Sequence, residues 1–446
     1  MIKVCDAIMG SGKSSAAITY MNEHPDRKFI YVTPYCDEAK RIRLGCPELH
    51  FVEPSDRVPS GKFTKTGHTL QLLQQGRNVA TTHQAMKFYT EEIIQIAREK
   101  QYTLIIDEDV QILEKVKCHP CDLKLLIDAG HLSFDGRRYT VVNDEYDGTA
   151  LAYIFRLMKS RELTVGPTCD DDVDDGEDIQ YCDDGDCVIE IEGAKKLLYW
   201  ALPPTLIAAF SEVIVLTYMF DSSDIHHMLN MNDIPYEHIY VERTADGRFH
   251  FTDRFSYMPK IAGNLADYIH IVDHHKLNKI GDDKYALSCA WYNKNPESIE
   301  LVRRHLHNYF NNLFVDVPCG DRMWSVYKRI TPKVKYRGYV KRWTPINMRA
   351  TNDYRNCTVL AYPVNIFLNV GVKLYYRQFD IELSDDRYAL STMIQWIWRS
   401  AIRDGKEINL YLPSSRMRKL LTDWMESVRI QYEEWLASSA EGGEQA

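Results

Sequence analysis

The 446-residue chain has no apolar run approaching the roughly 20 residues that a membrane-crossing helix requires. No charged, apolar leader precedes its first strand-like run, so a cytoplasmic protein without membrane partners is expected. Its eleven cysteines follow no framework spacing, which suits reduced thiols better than disulfides. A basic excess is missing too: 54 Lys and Arg stand against 63 Asp and Glu, for a net charge of −9. One stretch decides that sum. Between Cys169 and Glu192 there are twelve acids and no Lys or Arg, and without them −9 becomes +3. A disordered acidic loop is expected over about residues 169–187, because residues 170–186 hold too few apolar side chains to order themselves.

What is present begins at the front. Residues 2–7 form a short apolar run and read as a strand; residues 14–22 read as a helix. Between them lies Ala7-Ile8-Met9-Gly10-Ser11-Gly12-Lys13-Ser14-Ser15. Strand, Gly-x-Gly-Lys-Ser, helix is the pattern of a phosphate-binding loop. Gly10 and Gly12 tolerate backbone angles that turn successive N–H groups inward, and the helix directs its positive dipole end to the same place. Gly10, Ser11, Gly12, Lys13, Ser14 and Ser15 are therefore the expected ATP-binding residues. Lys13 would reach the β- and γ-phosphates, and the Ser14 hydroxyl would ligate Mg²⁺.

Buried β-rich runs at 28–33, 78–82, 102–106 and 213–217 alternate with helical segments, and the pattern restarts after residue 230 with strands at 236–241, 285–291, 357–362 and 408–412. The reading is α/β with two tandem parallel-sheet domains. The first spans 1–228 and carries an insertion over about 118–198; the second spans 229–436; residues 437–446 are a frayed tail. Asp107-Glu108 ends the 102–106 run about ninety residues past Lys13. A carboxylate there can hold Mg²⁺, here Asp107, and an adjacent one can orient the attacking water, here Glu108.

This order resembles a superfamily 2 helicase with two RecA-like domains, of the small bacteriophage type related to the DEAD/DEAH-like ATPases. Ala7, at the position where the usual loop has Gly, fits the version that superfamily favours. Thr33-Pro34 resembles motif Ia, Thr81-Thr82-His83 motif Ib, Leu216-Thr217-Tyr218 motif III, residues 286–291 motif IV, and Ala350-Thr351-Asn352-Asp353 the start of motif V. Gln395-Trp396-Ile397-Trp398-Arg399-Ser400-Ala401-Ile402-Arg403 is similar to the motif VI helix, with Trp398 where Gly is expected and the second arginine one place late. The resemblance implies that Gln395, Arg399 and Arg403 serve catalysis, with Arg399 and then Arg403 as arginine fingers on one helix face.

Residues 320–349 hold nine cations against Asp321 alone, interleaved with Trp324, Tyr327, Tyr336, Tyr339 and Trp343. Cations track phosphates and aromatic faces stack bases; a basic hairpin with core aromatics reads as well. Lys328, Arg329, Lys335, Arg337, Lys341, Arg342 and Thr351, with Thr33, Lys40, Arg41 and Thr81 from the first domain, are the nucleic-acid candidates. Cys118, Cys121, Cys182 and Cys187 would supply a zinc site, although free cysteines fit the loose spacing better. The expected function is an ATP-dependent helicase or translocase on nucleic acid, DNA rather than RNA, working in replication or recombination with other replication proteins, in a host cytoplasm if phage-encoded. The alternative is an ATP-switched binding or loading factor with low turnover.

Overall fold

The computed structural model describes residues 1–58, 61–62, 64–143, 145–146, 148, 151–168, 187–191, 193–254, 263, 265–348 and 353–442. Its contacts divide the chain into two units: Met1–Ala7, Gly12–Ser256 and Asn369–Leu383 form one, and Ile8–Ser11, Tyr257–Leu368 and Ser384–Ala446 the other. The architecture is α/β, two tandem RecA-like domains with parallel sheets.

The first unit opens with β1 (Ile2–Asp6), α1 (Lys13–Glu23), β2 (Lys28–Thr33), α2 (Cys36–Gly45), α3 (Lys65–Gln74), β3 (Val79–Thr82), α4 (Glu91–Glu99) and β4 (Tyr102–Asp107). An inserted segment follows: β5 (Leu113–Lys115), α5 (Pro120–Asp128), β6 (Leu132–Phe134), β7 (Arg138–Val141), α6 (Ala152–Met158), β8 (Glu162–Thr168), β9 (Val188–Ile191) and β10 (Ala194–Ala201). The chain then resumes with β11 (Glu212–Thr217), α7 (Asp224–Met231), β12 (Glu237–His238) and the hairpin β13 (Tyr240–Arg243) and β14 (Phe249–Thr252). The main sheet runs β12-β1-β11-β4-β2-β3, every pair parallel. Strands β4 and β11 are buried at every position. That is why they read as unbroken apolar runs rather than as alternating ones. The insertion builds its own antiparallel sheet, β9-β10-β8-β7-β6, with β5 also pairing to β10.

The second unit has β15 (Ile269–Ile271), α8 (Ser298–Asn308), β16 (Arg322–Ser325), β17 (Trp343–Thr344) and β18 (Val359–Ala361). After α9 (Val370–Arg377), which belongs to the first unit, come α10 (Asp385–Ile397), β19 (Ile408–Tyr411) and α11 (Ser415–Gly442). The parallel order is β15-β19-β18-β16-β17. Helix α9 packs on the inserted sheet, its Tyr375 ring 5.5 Å from that of Tyr199.

Several expectations need correction. Residues 285–291 are no strand: Leu287 has φ +65° and Ser288 caps a helix, Cys289–Lys294, by accepting from Trp291 N. The expected helix through Arg403 stops at Ile397, because Ser400 is extended and residues 401–404 make a separate 3-10 turn. Arg399 and Arg403 therefore do not share a helix face. Residues 437–442, expected as tail, continue α11; Ala437 and the residues after it include no proline to stop a helix. Of the acidic loop over 169–187, all but Cys187 lies outside the described residues, as does Thr351.

Candidate nucleotide site

The phosphate loop springs from the C-terminal end of β1. Gly10 (φ +82°) and Gly12 (φ +91°) take the left-handed angles the turn requires, and Gly12 is the N-cap of α1. Ser11 N donates to Ile8 O at 3.2 Å and Ala16 N to Gly12 O at 2.8 Å, fixing the tight turn into the helix. The Lys13 ammonium donates to the Ala7 carbonyl across the loop. Removal from water pulls its pKa down, opposed by the charges of Cys5 and of the nearby carboxylates.

Strand β11 separates β1 from β4, whose end carries the carboxylates. Asp107 Oδ2 accepts from Ser14 Oγ at 3.0 Å and from the Tyr31 hydroxyl at 2.8 Å. Its backbone carbonyl accepts from His83 Nε2 at 2.9 Å, so that nitrogen bears the proton. Burial raises the Asp107 carboxyl to about 6, the Glu108 charge adds to the rise, and the Tyr31 and Ser14 hydrogen bonds oppose it. Glu108 sits at φ +65°, an unusual angle for a non-glycine residue, and its N–H donates to Leu216 O at 2.9 Å. Strained backbone of this kind persists where the surroundings over-determine it. Here the flanking strands do so.

Asp6, the last residue of β1 where the loop begins, accepts from Met219 N at 2.8 Å and Phe220 N at 3.0 Å. It thereby ties the phosphate-loop strand to the segment that directly follows β11 and the Leu216-Thr217-Tyr218 motif at its end. Tyr31, His83 and Asp6 were not among the expected site residues. Only their places near the C-terminal ends of parallel strands, where α/β ligands bind, could have pointed to them.

In the second unit, Gln395 lies in α10 and donates to Ser391 Oγ at 3.2 Å. Arg399 is buried just past the helix end, its N–H bonded to Trp396 O at 3.1 Å, and Arg403 lies in the 3-10 turn.

The nucleic-acid candidates fall into two groups. Thr33 and Thr81 are buried, and Thr33 Oγ1 donates to Tyr35 O at 2.7 Å, so neither presents its hydroxyl at the surface. Lys40 and Arg41 are exposed and paired with Asp37 and Glu38 on α2. In the 320–349 segment the cations divide. Arg322 is buried and donates to Phe314, Val317 and Gly338 carbonyls, and Arg342 donates to Arg322 O and Cys357 Sγ. Lys328, Arg329, Lys335, Arg337 and Lys341 are exposed, with Arg329 bonded to Cys289 O at 2.8 Å. Trp324 and Tyr339 are core residues rather than stacking platforms, since β16 is an interior strand of the sheet; Tyr336 is exposed.

Cys118 and Cys187 are brought together, their thiols hydrogen-bonded. Cys121 is exposed in the first turn of α5, and Cys182 lies outside the described residues. Among the described residues no group of three or more His, Cys, Asp or Glu is placed to hold a metal, and no helix is long and apolar enough to cross a membrane.

The chain is 32% identical over 437 residues to the SPbeta prophage-derived uncharacterized protein YonV of Bacillus subtilis (strain 168), covering 96% of this chain and 99% of that one. Residues 263–425 match the model of the YonV C-terminal Rossmann-like domain. Among solved structures the chain is similar to S. tokodaii Xpd4, with 11% identity and TM-score 0.46 over 95% of this chain and 93% of that one. It is also similar to a structure described as XPD helicase, with 11% identity and TM-score 0.40 over 95% of each.

Proposed function

The chain belongs to the YonV family, and from that premise and the geometry of its phosphate loop we propose that it is an ATP-driven helicase or translocase of the superfamily 2 type, acting on nucleic acid. The observation that carries this reading is the hydrogen bond from Ser14 to Asp107, with Glu108 next to it on strained backbone. A hydroxyl and a buried carboxylate 3.0 Å apart at the mouth of a glycine loop are the oxygen donors a hard divalent cation takes. Ser14 and Asp107 would hold Mg²⁺, which when bound neutralises the terminal phosphates. Gly10 through Ser15 would bind the polyphosphate by backbone N–H groups, with Lys13 exchanging the Ala7 carbonyl for a phosphate oxygen. Glu108 would orient the attacking water. Arg399, Arg403 and Gln395 are assigned to sensing the terminal phosphate.

The exposed cations Lys328, Arg329, Lys335, Arg337 and Lys341 are assigned to the nucleic-acid backbone; Arg342 is set aside because its guanidinium serves the second unit's fold. DNA is the favoured substrate, since the relative is prophage-derived, and replication or recombination in a host cytoplasm is the favoured setting. Phosphate release tests this. Wild type should turn over ATP faster with single-stranded DNA, and Glu108→Gln should bind ATP yet lose at least a hundredfold in rate, a barrier of about 3 kcal/mol. A rate indifferent to nucleic acid would favour instead an ATP-switched loading factor with low turnover. The early end of α10, which splits Arg399 from Arg403, is the observation in favour of that second reading.

A further inference from the structure

We propose that Phe249 and Arg243 form the base-stacking clamp of the nucleotide site, and that the site consequently selects purine over pyrimidine nucleotides. This deepens the reading above and rests on the phosphate loop holding a nucleoside triphosphate.

The sheet order gives the direction of the ligand. On one side of β1 lie β11 and then β4, so the carboxylates of Asp107 and Glu108 are two strands away, roughly 10 Å. A polyphosphate lying across the end of β1 turns its terminal phosphate to that side. Its base must leave to the other side, where β12 leads into the β13–β14 hairpin. There Phe249 packs on the loop itself: a Cβ built on Gly12 would come within 2.6 Å of three Phe249 ring atoms. Phe249 and Phe251, two apart on β14, point to the same face, and Phe251 meets Tyr20 of α1 edge-on at 6.0 Å. The strand is thus laid along the phosphate-loop helix with an aromatic at its loop end.

Arg243 is the direct cross-strand partner of Phe249, and its guanidinium stands over the ring, 5.6 Å from the centroid. A base between two planar groups needs two contact layers of about 3.5 Å each, or about 7 Å. Arg243 is exposed, so its long side chain can lift by the roughly 1.5 Å required. Phe249 is half-buried and needs no displacement. Stacking recognises π-surface rather than a hydrogen-bonding edge, so ATP and GTP should bind alike and CTP and UTP more weakly.

Calorimetry on the full chain with Mg²⁺ decides the matter, using non-hydrolysable ATP and CTP analogues and inorganic tripolyphosphate. Wild type should bind the ATP analogue more tightly than tripolyphosphate. Phe249→Leu should cost about tenfold for the ATP analogue and nothing for tripolyphosphate, while Phe249→Trp retains the affinity with an unchanged melting temperature. An equal loss for ATP analogue and tripolyphosphate in both variants would make Phe249 a support of the loop and overturn the clamp. So would wild-type affinities that do not distinguish the ATP analogue from tripolyphosphate or from the CTP analogue. Should Lys13→Ala, or wild type itself, show that neither ATP nor tripolyphosphate binds through this loop, the nucleotide site falls and the clamp with it.

Discussion

At the scale of single residues, Asp107 is a tightly held group of the first unit. It is buried, its carboxyl is raised to about 6 by that burial, and Tyr31 and Ser14 donate to the same oxygen. Tyr31 itself is raised well above its usual range by burial, so it remains a donor at any physiological pH. Tyr31→Phe removes one of two bonds holding the carboxylate ionised. The Asp107 carboxyl should rise further, and Mg²⁺-dependent ATP binding at pH 7 should weaken about tenfold, as for a lost hydrogen bond to a charged group. A Mg²⁺ titration of nucleotide binding measures it, and an unchanged curve would remove Tyr31 from the site. Neither Tyr31 nor His83 announces this role in the sequence. Tyr31 stands 76 residues before Asp107, in a strand whose residues all read as core, so only the parallel register of β2 against β4 reveals the pairing.

Among elements, the inserted sheet is fastened to its unit by a compact ion group. Glu114 on β5 pairs with Lys87 and with Arg161, the latter at 2.7 Å, and both cations are buried. Burial, with the neighbouring Arg161 charge, pulls Lys87 down despite its partner, while Glu114 is held below the usual carboxylate range by hydrogen bonds and charge from Lys87 and Arg161, against its own burial. Glu114→Gln leaves two buried cations facing each other and should cost about 3 kcal/mol of stability. The sign in acid follows from the depressed carboxyl. Its contribution is complete above the unfolded value near ~4.3 and disappears as pH falls through the folded one. Melting curves of wild type and variant should therefore begin to converge only as pH falls below the ordinary glutamate value and meet below the folded one, and a gap independent of pH would mean that packing, not charge, was lost. Elements also show where sequence reading succeeds. Strands β4 and β11 were legible because fully buried parallel strands leave unbroken apolar runs. Residues 285–291 offered the same signal falsely, since a short apolar run does not distinguish strand from turn and helix; the left-handed Leu287 and the Ser288 cap settled it. The end of α10 was hidden for a related reason: Trp398, Ala401 and Ile402 keep a helical apolar spacing through a backbone that is no longer helical.

For the whole molecule the question is how a chain of net charge −9 would engage the polyanion proposed as its substrate. Counting cations by type overstates the answer, because Arg322 and Arg342 spend their donors on backbone carbonyls of their own unit. Aromatics in the same segment were overcounted for the same reason, Trp324 and Tyr339 being core. What remains available is a set of exposed cations, among them Lys335, Arg337 and Lys341. If those three neutralise phosphates, replacing all of them by Ala removes three counterion-releasing contacts. On single-stranded DNA the slope of log affinity against log salt should then flatten by about 2, at about 0.7 per contact. The melting temperature should not move, since none is buried. Arg322→Ala should do the reverse: it unseats carbonyls inside the second unit and lowers stability, leaving the salt slope of any protein that still folds as it was. A triple variant with an unaltered slope would place the nucleic-acid contact elsewhere on the chain.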